Sequence, residues 1–267
     1  MFECRLDGMF LRRLFEALRE ICNDVSIDCT EDGLSMQAMD NSHISLIHLC
    51  LSPDFFHLYR CDVPCTLGLN ISFMLKILSV VRDKSTIYLS KGDVSDDPVL
   101  SIRIIDDIGP NLSIDAENEA LEAQVKLIDV EREHLDIPNC EYTCQCIMNS
   151  KRFQEFAKYL NSIGETVTIS MNRDVMKLEA EGEGIKASKC FHNDVGEVRV
   201  SSTEPLSQVF ATRYLVLFSR ATALAQEVSI NLSAGIPLSV KFNFGDVNSI
   251  TDTVAFINFY LAPNIEE

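Results

Sequence analysis

The β-rich pattern of this 267-residue chain is written twice, and that repeat limits the possible folds more than any single motif. In the first half, a helical stretch at 9–23 precedes VSIDCT, GLSMQAMD, HISLIHLCL and CTLGLNI, rich in β-branched residues and alternating apolar with polar. Turn formers interrupt them at Glu31-Asp32-Gly33 and Ser52-Pro53, and a second helical stretch follows at 72–84. The second half repeats the series. A helix at Ser150–Ile163 leads to TVTISM, VMKLEAEG, IKASKCF and VRVSS; SQVFA enters a helix at 211–222; VSINLS, PLSVKFNF and FINFYLA close the chain. Two copies of one module are the simplest account. The length suits two domains of about 130 residues, each large enough to bury a core. The expected class is α+β, with domains at 1–125 and 144–267 joined by a linker at 126–143.

Charge is distributed unevenly over this frame. The four helical stretches hold 11 of the 23 Lys and Arg but only 4 of the 40 Asp and Glu, so they carry +7 while the rest carries −24. A polyanion is repelled by most of such a protein and attracted to one set of helices, the layout expected if nucleic acid meets a single surface. In the first helix Leu11, Leu14, Phe15, Leu18, Ile21 and Cys22 form an apolar stripe with Arg12, Arg13 and Arg19 off it. Phe73, Ile77 and Val80 form the expected stripe of the second, beside Lys76, with Arg82 and Lys84 at its end. Phe153, Phe156, Leu160 and Ile163 are expected inside the third, leaving Lys151, Arg152 and Lys158 free, and Tyr214, Leu217 and Phe218 inside the fourth, leaving Arg213 and Arg220 free. Singly, each basic face reads as solvation or as a response to the helix dipole. Four such faces in an acidic chain point to nucleic acid.

Several function classes recede. No apolar run approaches the roughly 20 residues of a membrane span. Phe2 and Leu6 alternate with polar residues where a signal peptide needs a continuous apolar stretch, so the chain is expected to start directly into structure. The ten cysteines contain no CxxC. Cys140, Cys144 and Cys146, with His134 upstream, are the closest cluster. Cys144 and Cys146 sit two apart on a strand-like segment and are expected on one face as small buried hydrophobes. No metal, cofactor or catalytic set is expected, and reduced thiols fit cytosol or nucleus. In the connecting stretch, Pro138 biases Ile137 toward an extended shape, and Leu135 and Ile137 flank that bend. They are either simple tethers or an exposed apolar rim for a partner peptide.

MFECRL, AMDNSHISL, YRCD, LDIPNCEYTC, RYL and YLAPNIEE, in this order over essentially the whole chain, resemble the eukaryotic proliferating cell nuclear antigens, the DNA sliding clamps. The resemblance implies two similar domains per subunit, three identical subunits in a ring, basic helices inside and antiparallel sheets outside. It implies no enzyme activity. The expected partners are encircled double-stranded DNA, DNA polymerase, repair and other proteins bearing a PCNA-interacting peptide, a clamp loader and the chain itself, in the nucleus. By position, Arg12, Arg13, Arg19, Lys76, Lys158, Arg213 and Arg220 match the family's DNA-facing wall. Glu155 departs from it, with Lys151 and Arg152 as possible compensation. Met39, His43, Ile44, Leu46, Leu135, Ile137, Pro138, Pro237, Tyr260, Ala262, Pro263 and Ile265 match its docking pocket, His43 with a mixed packing and binding role. Val125 and Lys126 on one edge and Lys186, Ala187, Ser188, Lys189 and Cys190 on another are the candidate subunit interface. The segments 105–123 and 245–255 are longer than the family pattern. The family's modified lysine falls on Arg173, leaving Lys177 as the nearest substitute. Two other readings stay open: a subunit of a heterotrimeric checkpoint ring, and a thiol enzyme.

Overall fold

A computed structural model describes residues 1–92, 98–106, 120–130, 135, 141–194, 197–244 and 254–264. The chain divides into two compact units. The first gathers Met1–Ala38, His48–His134 and Gly245–Phe256; the second gathers Met39–Ile47, Leu135–Phe244 and Ile257–Glu267.

The first half runs β1 (Phe2–Asp7), α1 (Gly8–Leu18), β2 (Asp24–Thr30), β3 (Gly33–Met39), β4 (Ser45–Leu51), β5 (Leu58–Cys61), β6 (Cys65–Asn70), α2 (Ile71–Leu78), β7 (Ser85–Lys91), β8 (Val99–Asp106) and β9 (Leu121–Lys126). The second runs β10 (Cys144–Asn149), α3 (Ser150–Ile163), β11 (Thr166–Asn172), β12 (Val175–Gly182), β13 (Ile185–His192), β14 (Val198–Ser202), β15 (Leu206–Ala211), α4 (Thr212–Phe218), β16 (Glu227–Ser233), β17 (Ile236–Asn243) and β18 (Ala255–Leu261). Hydrogen bonding follows the orders β5-β1-β7-β8-β9 and β4-β3-β2-β6 in the first half. In the second the orders are β14-β10-β16-β17-β18 and β13-β12-β11-β15. Each strand of the second half thus stands in the place of the strand nine earlier, which makes the sequence repeat a structural one.

Local chemistry explains the helix starts. All four helices follow a strand with no loop, and at three of them an Asp or Asn makes the corner. Asp7 accepts from the Phe10 N–H at 2.6 Å, Asn70 from Phe73 at 3.1 Å and Asn149 from Lys151 at 3.0 Å. Ala211 cannot cap α4, whose Thr212 instead donates its hydroxyl to the Gly164 carbonyl at 2.8 Å. Strand alternation supplies the cores. Phe2, Cys4 and Leu6 of β1 point inward, as do Cys144, Cys146 and Met148 of β10. In the second unit Phe218 stacks on Phe259 at 4.7 Å, and Phe242 meets Phe259 edge-on. Gly68 in β6 permits a close crossing. A Cβ there would lie 1.9 Å from the Ile128 carbonyl oxygen, and Ile128 donates its N–H to the Gly68 carbonyl at 3.0 Å. The chain leaving β9 is thereby held against the first unit through Ile128.

The helical readings need correction at three places. The second helix ends at Leu78, and its buried stripe is Ile71, Met74 and Leu78, whereas Phe73 and Val80 are exposed. Both stripes have helical spacing; the Asn70 cap fixes the start and phase in favour of the former. In the fourth helix Leu215 rather than Leu217 is buried with Tyr214 and Phe218, and the chain tightens into a 3-10 turn at Ser219–Ala223. In the third, Phe153 and Leu160 are buried while Phe156 and Ile163 are half-buried. Arg152 is not free. It pairs with Glu197 at 3.0 Å and lies over the Phe191 ring at 5.4 Å.

Candidate DNA-facing helices and docking loop

α1 packs beside α2 in the first unit and α3 beside α4 in the second. Arg13, Arg19, Lys76, Lys158, Arg213 and Arg220 are exposed. Arg12 is half-buried, bonded to Glu16 at 3.0 Å and donating to the Val81 carbonyl at 3.2 Å, so part of its charge serves the fold. Lys76 holds its ammonium 5.5 Å from the Phe73 ring centroid. Glu155 is exposed on α3, and with Arg152 engaged by Glu197 the exposed Lys151 remains beside it to offset the carboxylate. The exposed Phe73 and Tyr159 were not anticipated among these cations. Nothing in their spacing separates them from core positions.

Among the docking candidates that the structure describes, Met39, His43, Ile44 and Leu46 lie in or flank one loop of the second unit. Met39 and Leu46 are half-buried, while His43 and Ile44 are exposed; His43 has a left-handed φ of 54°. The Ala262 N–H donates to the Ile44 carbonyl at 3.1 Å, bringing the run from Tyr260 through Pro263 alongside. Tyr260 and Pro263 are half-buried and Ala262 is exposed. Pro237 is exposed at the start of β17, and its carbonyl accepts from the Tyr142 hydroxyl at 3.2 Å. Leu135 is 42% exposed, available for contact rather than packed away. Ile137, Pro138 and Ile265 lie outside the described residues.

Asp40 organises the loop, and sequence reading missed it. Burial alone would raise its pKa, but N–H groups of Ser45, Ser42 and Ile44 and the Tyr214 hydroxyl hold the carboxyl below the usual range. Tyr214 is shifted upward by burial and by its bond to Asp40, against the pull of Arg213. An Asp followed by Asn-Ser is a turn signal that could have pointed there.

The interface candidates lie on two strand edges. β9 ends the order β5-β1-β7-β8-β9 and β13 ends β13-β12-β11-β15. Val125 is buried against its own unit; Lys126, Ser188 and Cys190 are exposed and Ala187 is half-buried. Lys186 pairs with Glu179 at 3.0 Å and Glu181 at 3.1 Å, and Lys189 stands 5.7 Å from the Phe156 ring centroid.

The thiol cluster does not suit catalysis. Cys144 and Cys146 are both buried on one face of β10, and burial pushes Cys146 up to about 12, the opposite of what a thiolate nucleophile needs. Cys140 and His134 lie outside the described residues. Among the described residues, no group of three or more His, Cys, Asp or Glu could hold a metal ion, and no helix is long and apolar enough to cross a membrane.

A duplicated α+β module with exposed cations on its helices defines a binding protein of the clamp type. The chain belongs to the proliferating cell nuclear antigen family, the sliding clamps that act as processivity factors. Its residues 1–134 match the family's N-terminal domain and 136–264 its C-terminal domain. It is 51% identical over 265 residues to "Proliferating cell nuclear antigen 2" of Plasmodium falciparum (isolate 3D7), covering 99% of each chain. The family is non-enzymatic, which removes the thiol-enzyme reading.

Proposed function

We propose that three copies of this chain close head to tail into a nuclear ring that encircles duplex DNA and tethers polymerases, repair proteins and a clamp loader through their interacting peptides. One observation carries the reading: the exposed cations Arg13, Arg19, Lys76, Lys151, Lys158, Arg213 and Arg220 sit on or just beyond the helices of a chain whose net charge is −17. Phosphate neutralisation without base contacts gives weak, sequence-indifferent binding, which permits sliding. Topology supplies the retention. Residues 1–125 and 144–267 act as the two clamp domains, and 126–143 as the connector that offers Leu135, Ile137 and Pro138 to partners. Loaded on a closed circular duplex, the protein should stay bound through a high-salt wash and leave when the circle is linearised. Release that ignores DNA topology overturns the ring. Native mass separates this reading from a heterotrimeric checkpoint ring, because the purified chain alone should weigh close to three times 30.0 kDa.

Peptide docking gives a second measurement. Replacing Leu135 or Ile137 by Ser removes apolar area at the pocket, and each change should weaken a labelled interacting peptide by about 1–2 kcal/mol. Unchanged affinity in both variants places the site elsewhere.

Arg173 cannot form the isopeptide bond that a lysine at its position would, because a guanidinium is not a substrate for that ligation. Lys177 is the nearest replacement. Its ammonium is paired with Glu179, which also holds Lys186, yet its side chain is 43% exposed. Ubiquitin remnants mapped by mass spectrometry after DNA damage should include Lys177; remnants confined to other lysines exclude it.

A further inference from the structure

One carboxylate holds the docking loop from beneath. Asp40 Oδ1 accepts from the backbone N–H of Ser45 at 2.7 Å and of Ile44 at 2.9 Å, and from the Ser45 hydroxyl at 3.2 Å. Its Oδ2 accepts from the Ser42 N–H at 3.1 Å and from the Tyr214 hydroxyl at 2.9 Å. Five donors converge on a group with about four lone-pair directions, so the Asp40 side chain is fully committed. Tyr214, 2% exposed on α4, is gripped from its other side: the Arg213 guanidinium lies 4.8 Å from the ring centroid, and its Nη2 donates to the phenol oxygen at 3.1 Å. Arginine has no acceptor, so in this pair the phenol's single proton goes to Asp40, and the chain of bonds runs one way from Arg213 through Tyr214 to Asp40. The loop it reaches includes His43 in the left-handed region, a conformation that persists only where the surroundings enforce it.

We propose that Arg213, Tyr214 and Asp40 form a positioning relay that sets the shape of the docking loop from helix α4, so that whatever occupies Arg213 is felt at the peptide site. The inference rests on the docking reading given above and adds a regulation to it. Donation by a cation polarises the phenol and strengthens its bond to the carboxylate, since hydrogen bonds in series reinforce one another. A phosphate diester that captures Arg213 withdraws that donor and loosens the loop. Linkage then requires that a bound peptide weaken phosphate binding at Arg213 by the same factor.

The test uses the intact protein, with native mass checked for every variant. Tyr214→Phe keeps the ring and removes the hydroxyl, and should weaken a labelled interacting peptide roughly five- to ten-fold, the loss of one charge-assisted hydrogen bond. Arg213→Ala should weaken it roughly two- to three-fold in the parent and not at all in the Tyr214→Phe background, because the chain is already cut there. Amide exchange at Ile44 and Ser45 should quicken in Tyr214→Phe without any peptide present. Parent-like exchange in Tyr214→Phe overturns the relay, as does an Arg213→Ala effect of equal size in both backgrounds. If the parent binds no peptide, the docking reading falls, while exchange at Ile44 and Ser45 still decides the relay.

Discussion

Proline placed in the β13 edge should dissociate the proposed ring. The N–H groups of neighbouring strand residues point alternately toward the paired strand and away from it. Of Ser188→Pro and Lys189→Pro, made separately, one must therefore remove a donor that faces outward from β12, and proline cannot give that bond to an incoming strand. An open edge is a template for pairing with another copy, and pairing of two different edges, β9 with β13, is heterologous and closes into a ring when the rotation allows. The outward-facing variant should fall to a native mass of 30.0 kDa while keeping its far-ultraviolet circular dichroism. A trimer that persists in both variants moves the interface away from Ser188 and Lys189.

What the sequence disclosed depended on how far each signal reached. The repeat was legible because strand alternation and helix periodicity are local, and among the described residues nine strands with two helices recur in order. Helix phase was less so. Ile71, Met74 and Leu78 compete with Phe73, Ile77 and Val80 at equal spacing, and only the bond from the Phe73 N–H to Asn70 decides between them. The availability of a cation is a long-range property. Arg152 and Arg12 look like Lys151 and Arg13 in sequence, but Glu197 lies 45 residues from Arg152 and Val81 lies 69 from Arg12. Asp40 and Tyr214 are 174 residues apart, so no window of sequence shows that one hydroxyl reaches the carboxylate of the candidate docking loop. Ile44 and Leu135 could be singled out from motif resemblance because each lies in a short contiguous segment that carries the likeness.

That difference among the cations decides which residues test the proposed DNA-facing surface. Reversing Arg12 would set a glutamate beside Glu16 and break the bond to Val81, mixing a folding effect with a DNA effect. Arg13→Glu, Lys76→Glu, Lys158→Glu and Arg220→Glu act instead on exposed positions, one associated with each helix or the turn that follows it. Each reversal changes the local charge by two units, and in the proposed ring of three copies symmetry repeats it three times. Where these side chains meet phosphate, losing each contact lowers the salt slope of binding by about 0.9, and the added carboxylates repel the backbone. The quadruple variant should keep the parent's native mass and peptide affinity. Its loading and sliding on primed circular DNA should fall by roughly 100-fold or more near physiological salt, a loss that the steep ionic dependence of phosphate contact makes reachable from a few charges. A variant that loads and slides like the parent would show that DNA passes these helices without touching them.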